Sequence, residues 1–169
     1  MALLRLVHIL AGTFWLGAIL VLAGFLMPAM REIGPSAAPF MRQVMMRQRL
    51  RLWINISMSL AILAGFALYG IDSASSGGAF ARSAMGRMLG VGALLAIIAA
   101  GVAGAVTQPA GKKLNAIAER LAESGGSAPP PAATVDEIAA LQARSSRGLT
   151  IMSILLLLSA AAMSVARYL

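Results

Sequence analysis

The chain contains no cysteine. Disulfides, thiolate metal sites and dithiol redox chemistry are therefore excluded. It has one histidine, His8, and only six acidic residues among 169. These are Glu32, Asp72, Glu119, Glu123, Asp136 and Glu137, all in connections or at the ends of apolar runs. No apolar run has a carboxylate near its middle, where a proton relay or an ion-coupled transporter needs one. No carboxylate pair is held away from water for acid–base work. Glycine-rich phosphate loops, His-rich zinc motifs and nucleophile elbows are also absent from the sequence. No enzymatic activity is expected.

Charged residues make up 12% of the chain, against about 25% in soluble domains. Hydrophobic residues make up 59%, and the mean hydropathy is +0.83. That balance is the mark of a membrane protein. The net charge is +8, but the basic residues flank apolar runs and carry no nucleic-acid motif. Their placement is an orientation signal in a bilayer, and no nucleic-acid partner is expected.

Four runs reach the roughly 20 apolar residues that cross a bilayer. They cover about Ala2 to Met27, Leu52 to Ile71, Met88 to Val106 and Leu149 to Ala166. Pro28 closes the first and Pro109 the third. The first run is too long for a signal-peptide core and lacks a clean small-x-small cleavage site, so it is read as retained. The expected fold is all-α: a polytopic membrane four-helix bundle forming one integral domain over residues 1–169.

The connection from Pro28 to Arg51 carries Arg31, Arg42, Arg47, Arg49 and Arg51. The connection from Thr107 to Arg147 carries Lys112, Lys113, Arg120, Arg144 and Arg147. The other side has only Arg5, Arg82, Arg87 and Arg167. By the positive-inside rule both long connections (28–51 and 107–147) are cytoplasmic and both termini lie outside. Tyr69 and Tyr168 then fall at the outer interface and Trp53 at the inner one, where amphipathic rings are stable.

Both connections are expected to hold short amphipathic helices. Ser36 can cap a helix running to about Arg51, with Phe40, Met41, Val44 and Met45 on one stripe. That segment either lies on an anionic leaflet or extends the second span into the cytoplasm. After Pro109, Leu114, Ile117, Ala118 and Leu121 recur at helical spacing. Gly125 to Pro131 is a flexible break. Thr134 and Glu137 form a T-x-x-E capping box for a helix running through Ile138 and Leu141 into the fourth span.

Spans in lipid associate through small residues. Gly92, Ala96, Ala100 and Gly104 recur every four residues, with Gly101 and Ala105 beside them, so the third span is expected to be the most enclosed. Leu155 to Leu158 should face lipid in part. The first and third spans both end in proline before a basic connection, and the second and fourth both return to a tyrosine. An internal duplication gives this pattern, and so does chance in four-helix proteins.

His8 shares a face with Ala11, Gly12, Trp15 and Ile19. A ring at that depth faces the interior and needs a partner. It is either a ligand to haem iron or copper, or a hydrogen bond between helices, to a backbone carbonyl, Ser159 or Ser164. Arg5, three residues earlier on the same face, favours the neutral, metal-binding ring. The eleven methionines supply thioethers suited to Cu(I). Met85 and Met88 form an M-x-x-M at the start of the third span, and Met163 lies at a depth like that of His8. His8, Met88 and Met163 form a candidate metal site. Met27 and Met30 form a second M-x-x-M. The alternative is gap-filling in an apolar interior. Asn55 reads as a polar tie between helices rather than a ligand.

The opening L-x-x-x-H-I-L-A-G-T-F-W-L-G-A resembles the first span of CopD-like bacterial membrane proteins, with an H-x6-W-x-G pattern. GPSAAPFMRQVMMRQRL, QPAGKKL and the terminal M-x-x-A-R-Y-L are similar to a widespread group of four-span bacterial proteins. The resemblance implies the bacterial inner membrane, copper handling or b-type haem, and His8 as the cofactor-binding residue. The chain departs from that pattern in having no second histidine, so haem b would need a methionine or a second subunit.

Two functions compete. One is a non-catalytic accessory or scaffold subunit without cofactor, partnered by the lipid bilayer and by other membrane subunits or further copies of itself. The other is copper or haem handling through His8 and methionines. A small transporter or channel ranks below both, for want of a midplane charge.

Overall fold

A computed structural model describes residues 1–123 and 131–169. Four helices are long and apolar enough to cross a membrane: Ala2–Ile33, Leu50–Ser75, Ala84–Leu121 and Ala132–Ala166. They form the expected all-α bundle. Each is longer than its apolar run. The fourth has 35 residues, about 52 Å at 1.5 Å per residue, against a hydrocarbon core of about 30 Å. The excess extends beyond the apolar zone.

The helices stand in a ring. The first packs chiefly on the second and the third chiefly on the fourth, and sparser contacts join first to fourth and second to third. The molecule is thus two antiparallel hairpins side by side. Trp15, Ile19 and Leu22 of the first helix meet Ala61, Ala99 and Ala103, and Leu149, Met152 and Leu156 of the fourth, at the seam.

The fourth helix, not the third, is the most enclosed: 33% of its apolar window is buried, against 17% of the third's. The small side chains of the third helix let neighbours approach but bury little area of their own. The bulkier Leu149, Met152 and Leu156 fill the centre instead. Leu157 and Leu158 face outward, as expected, while Leu156 turns in. Gly92 lies under Met163, but Gly101 and Gly104 face open space.

The two hairpins share a backbone irregularity. The first helix widens into a π turn at Leu22–Leu26 and the third at Ala103–Thr107. Met27 N–H bonds Leu22 O, and Gln108 N–H bonds Ala103 O, each five residues back. Pro28 and Pro109 follow directly. A proline has no N–H to offer and its ring crowds the carbonyl four residues earlier. The widened turn lets the helix pass the obstruction without stopping.

At this proline end the two connections differ. In the shorter one the expected single helix from Ser36 to Arg51 is broken. A 3-10 turn at Gly34–Ala37 leads to a short helix at Ala38–Arg42 and a π turn at Gln43–Arg47. Arg49 then adopts a left-handed conformation (φ 56°) before the second helix starts. The segment is therefore not a straight extension of the second span. Ser36 caps nothing; its hydroxyl donates back to Ile33 O at 3.2 Å. Met41, Val44 and Met45 are half-buried and Phe40 is exposed.

The longer connection is a helical stem. Gln108–Glu123 continues the third helix, and Ala132–Ala166 returns beside it. Ala110, Ile117 and Leu141 are buried between them, flanked by Leu114, Leu121 and Ile138. The returning helix starts two residues before Thr134. Pro131 fixes its own φ, and its carbonyl accepts from Thr134 N–H and Val135 N–H at 2.9 and 3.2 Å, so the expected capping box is not the start. The expected break at Gly125 to Pro131 lies, Pro131 apart, outside the described residues.

At the opposite end Gly77 and Gly78, both with positive φ, turn the second helix into one turn of helix at Ala79–Arg82. Ser83 then caps the third helix by accepting from Gly86 N–H at 3.0 Å. That cap starts the helix four residues earlier than its apolar run, and Met85 and Met88 lie within its first turns.

Candidate functional site

His8 sits two turns into the first helix and is half-buried. Its Nδ1 lies 2.7 Å from the main-chain oxygen of Ala61 in the second helix. A carbonyl can only accept, so Nδ1 carries the proton. In the neutral ring this leaves the Nε2 lone pair free.

Glycine at position 65 makes the contact possible. A helical Cβ tilts toward the N-terminus, so residue i+4 covers the carbonyl of residue i. Gly65 is that residue for Ala61, and it has no Cβ. One built there would stand 2.8 Å from Cε1 and 3.1 Å from Nδ1 of His8. The imidazole fills the notch. Of the partners expected for His8, the carbonyl is the one found; Ser164 is exposed.

Ser159 has a different role. Its buried hydroxyl donates to Gly92 O at 2.7 Å, joining the fourth helix to the third. At this end of the bundle each hairpin is thus tied by a side chain reaching a helix carbonyl: His8 to Ala61, and Ser159 to Gly92. Met163 covers Gly92, its Cγ standing 2.8 Å from where a Cβ would lie. Met88 is half-buried near the start of the third helix. His8 and Met163 therefore rest on glycines of opposite hairpins. On His8 itself, Nε2 is the ring nitrogen left for a ligand.

Arg5, one turn before His8, faces Asp72 at 3.8 Å. Its charge is shared with a carboxylate at the rim. Trp15, two turns beyond His8, is 2% exposed, and its indole nitrogen is buried without a hydrogen-bond partner. Tyr69 sits edge-on to Phe80 with ring centroids 5.5 Å apart. At the chain's end the Arg167 guanidinium lies over the Tyr168 ring.

At the proline end, Asn55 accepts from Gln108 Nε2 at 3.2 Å, linking the two hairpins. Asn115 reaches Met46 Sδ at 3.7 Å, linking the stem to the shorter connection. Arg144 donates to Ala105 O at 3.3 Å. Ala105 is four residues before Pro109, so its carbonyl has lost its helical donor. The guanidinium supplies one. Sequence reading did not identify this contact; the signal was an arginine one turn ahead of the fourth apolar run, opposite a proline exit.

Comparison with protein-family models, curated proteins and solved structures finds no match to this chain.

Proposed function

We propose that this chain is a non-catalytic accessory or scaffold subunit of a larger membrane assembly, in the bacterial inner membrane, with both termini outside and the stem in the cytoplasm. The supporting observation is the outward face of the third helix. A Cβ at Gly101 or Gly104 would meet nothing within 4 Å, although glycines in lipid-facing positions gain nothing from lipid and serve close helix approach. Ile97 and Ile98 lie exposed one turn away. A second transmembrane helix fits that face, from another subunit or another copy.

The test is extraction into native-lipid particles followed by mass measurement and identification of fixed partners. A stoichiometric partner or second copy, lost in Gly101→Leu with Gly104→Leu while helicity is kept, is the expected result. A monodisperse single chain overturns the proposal.

The tautomer of His8 supports a second reading. Metal-ligating histidines commonly donate one ring N–H to a carbonyl and bind through the other nitrogen, and His8 meets the first half of that description. In this reading His8, with Met88 or Met163, holds copper, or His8 with a ligand from a second subunit holds haem b. Stoichiometric copper or a Soret band lost in His8→Ala supports it. A colourless, metal-free protein purified from copper- and haem-replete cells ends it.

A further inference from the structure

Two clefts open at the proline end, one beside each hairpin. The larger, of 530 Å³, is floored by Val106, Gly148 and Ile151 and rimmed by Arg144 and Arg147. The smaller, of 250 Å³, is floored by Met45 and Leu52 and rimmed by Arg49 and Arg51. Each lies where a returning helix passes from charged to apolar sequence. That is the depth of the lipid headgroups and upper acyl chains.

Beside the larger cleft two helices come unusually close. A Cβ at Gly148 would stand 2.7 Å from Thr107 Oγ1 and 3.2 Å from Val106 Cγ1. Gly148 therefore seats the fourth helix against the π turn of the third. Arg144, one turn earlier, is held by the Ala105 carbonyl, and only part of its guanidinium is used. Arg147 stands beside it.

No acidic side chain lines either cleft. Among the described residues the one ion pair is Arg5–Asp72, at the far end of the bundle. Four guanidinium groups thus sit at the edge of the hydrocarbon without a protein carboxylate. Uncompensated charge there is costly. A phosphodiester matches a guanidinium in shape and charge, and its acyl chains match the apolar floors.

We infer that each cleft binds one anionic phospholipid of the surrounding bilayer, its phosphate on the arginine pair and an acyl chain along the apolar floor.

The test uses the full chain in detergent, titrated with phosphatidylglycerol or with phosphatidylcholine of identical acyl chains and read by native mass spectrometry. Phosphatidylglycerol is expected to be retained over phosphatidylcholine. Arg147→Gln weakens retention at one cleft, and Arg51→Gln at the other, each about five-fold. Arg147 and Arg51 are chosen because Arg144 also supports the backbone; unchanged thermal unfolding of both variants checks the fold. Equal retention of the two lipids overturns the inference, as does wild-type retention by the folded double variant. Displacement of phosphatidylglycerol by inorganic phosphate overturns it in favour of a soluble anion. An acidic protein bound in place of lipid, and lost in Arg147→Gln, overturns it in favour of a protein partner.

Discussion

The imidazole of His8 donates to the carbonyl of Ala61 across 2.7 Å, through a gap that exists because residue 65 has no side chain. The carbonyl already serves its own helix, so the contact adds a second donor to a strong acceptor. Gly65→Ala pushes the ring off this acceptor. The expected loss is about 1 kcal/mol, as for an interhelical hydrogen bond in a membrane protein. Gly70→Ala, five residues on, meets no atom within 4 Å and serves as the control. Detergent-unfolding midpoints of the two variants check this. Combining Gly65→Ala with His8→Leu is expected to cost little more than His8→Leu alone, because both remove one contact.

Gly86→Ala is expected to be more damaging. Its Cβ would stand 1.9 Å from the main-chain oxygen of Phe80. Backbone cannot yield as a flexible side chain can. The turn between the second and third helices must open, at a cost of about 3 kcal/mol, the upper end of overpacking losses. Gly90→Ala, with Tyr69 Oη 3.6 Å away, is expected to be near neutral. Thermal unfolding in one detergent checks the pair.

Trp15 separates volume from polarity. Its ring fills the seam between hairpins, but its N–H has no hydrogen-bond partner. Trp15→Phe removes the orphaned donor with modest volume loss and is expected to change stability by less than about 1.5 kcal/mol. Trp15→Ala leaves a cavity and is expected to cost about 3–5 kcal/mol. Equal losses in the two variants would show that the N–H matters more than the volume.

The role of Arg144 depends on Pro109. With proline present, Ala105 O relies on the guanidinium. Arg144→Gln is expected to cost about 1 kcal/mol. In a Pro109→Ala background the helix regains its own donor, and the same substitution is expected to cost clearly less. A double-mutant cycle on unfolding midpoints measures the difference.

Much of this architecture can be read from the sequence because apolar length and helical spacing act locally. Four long runs and the Leu114–Ile117–Leu121 spacing anticipate the four helices and the stem, but the expected stops at Pro28 and Pro109 are not found: both helices run on through a π turn, to Ile33 and Leu121. Enclosure is less legible, since it depends on which helix meets which. Gly92 and Gly104 share one four-residue repeat, yet Gly92 is covered by Met163 and Gly104 faces outward. His8 stood out as the single ionisable ring in an apolar run. Its carbonyl partner was foreseeable in kind but not in place. Gly65 is one of 17 glycines, and only the pairing of two distant helices shows what it makes room for. The left-handed turn at Arg49 has no glycine to announce it.

That turn has a mechanical consequence. The shorter connection meets the second helix at a joint, the left-handed Arg49, so the two do not form one continuous lever. The stem has no joint on its returning side: from Ala132 to Ala166 the helix is unbroken. A force at its tip acts on a lever of which the inner arm is embedded among the core side chains Leu149, Met152 and Leu156. Of the two connections at this end, the stem is the one whose returning helix carries a displacement unbroken into the core.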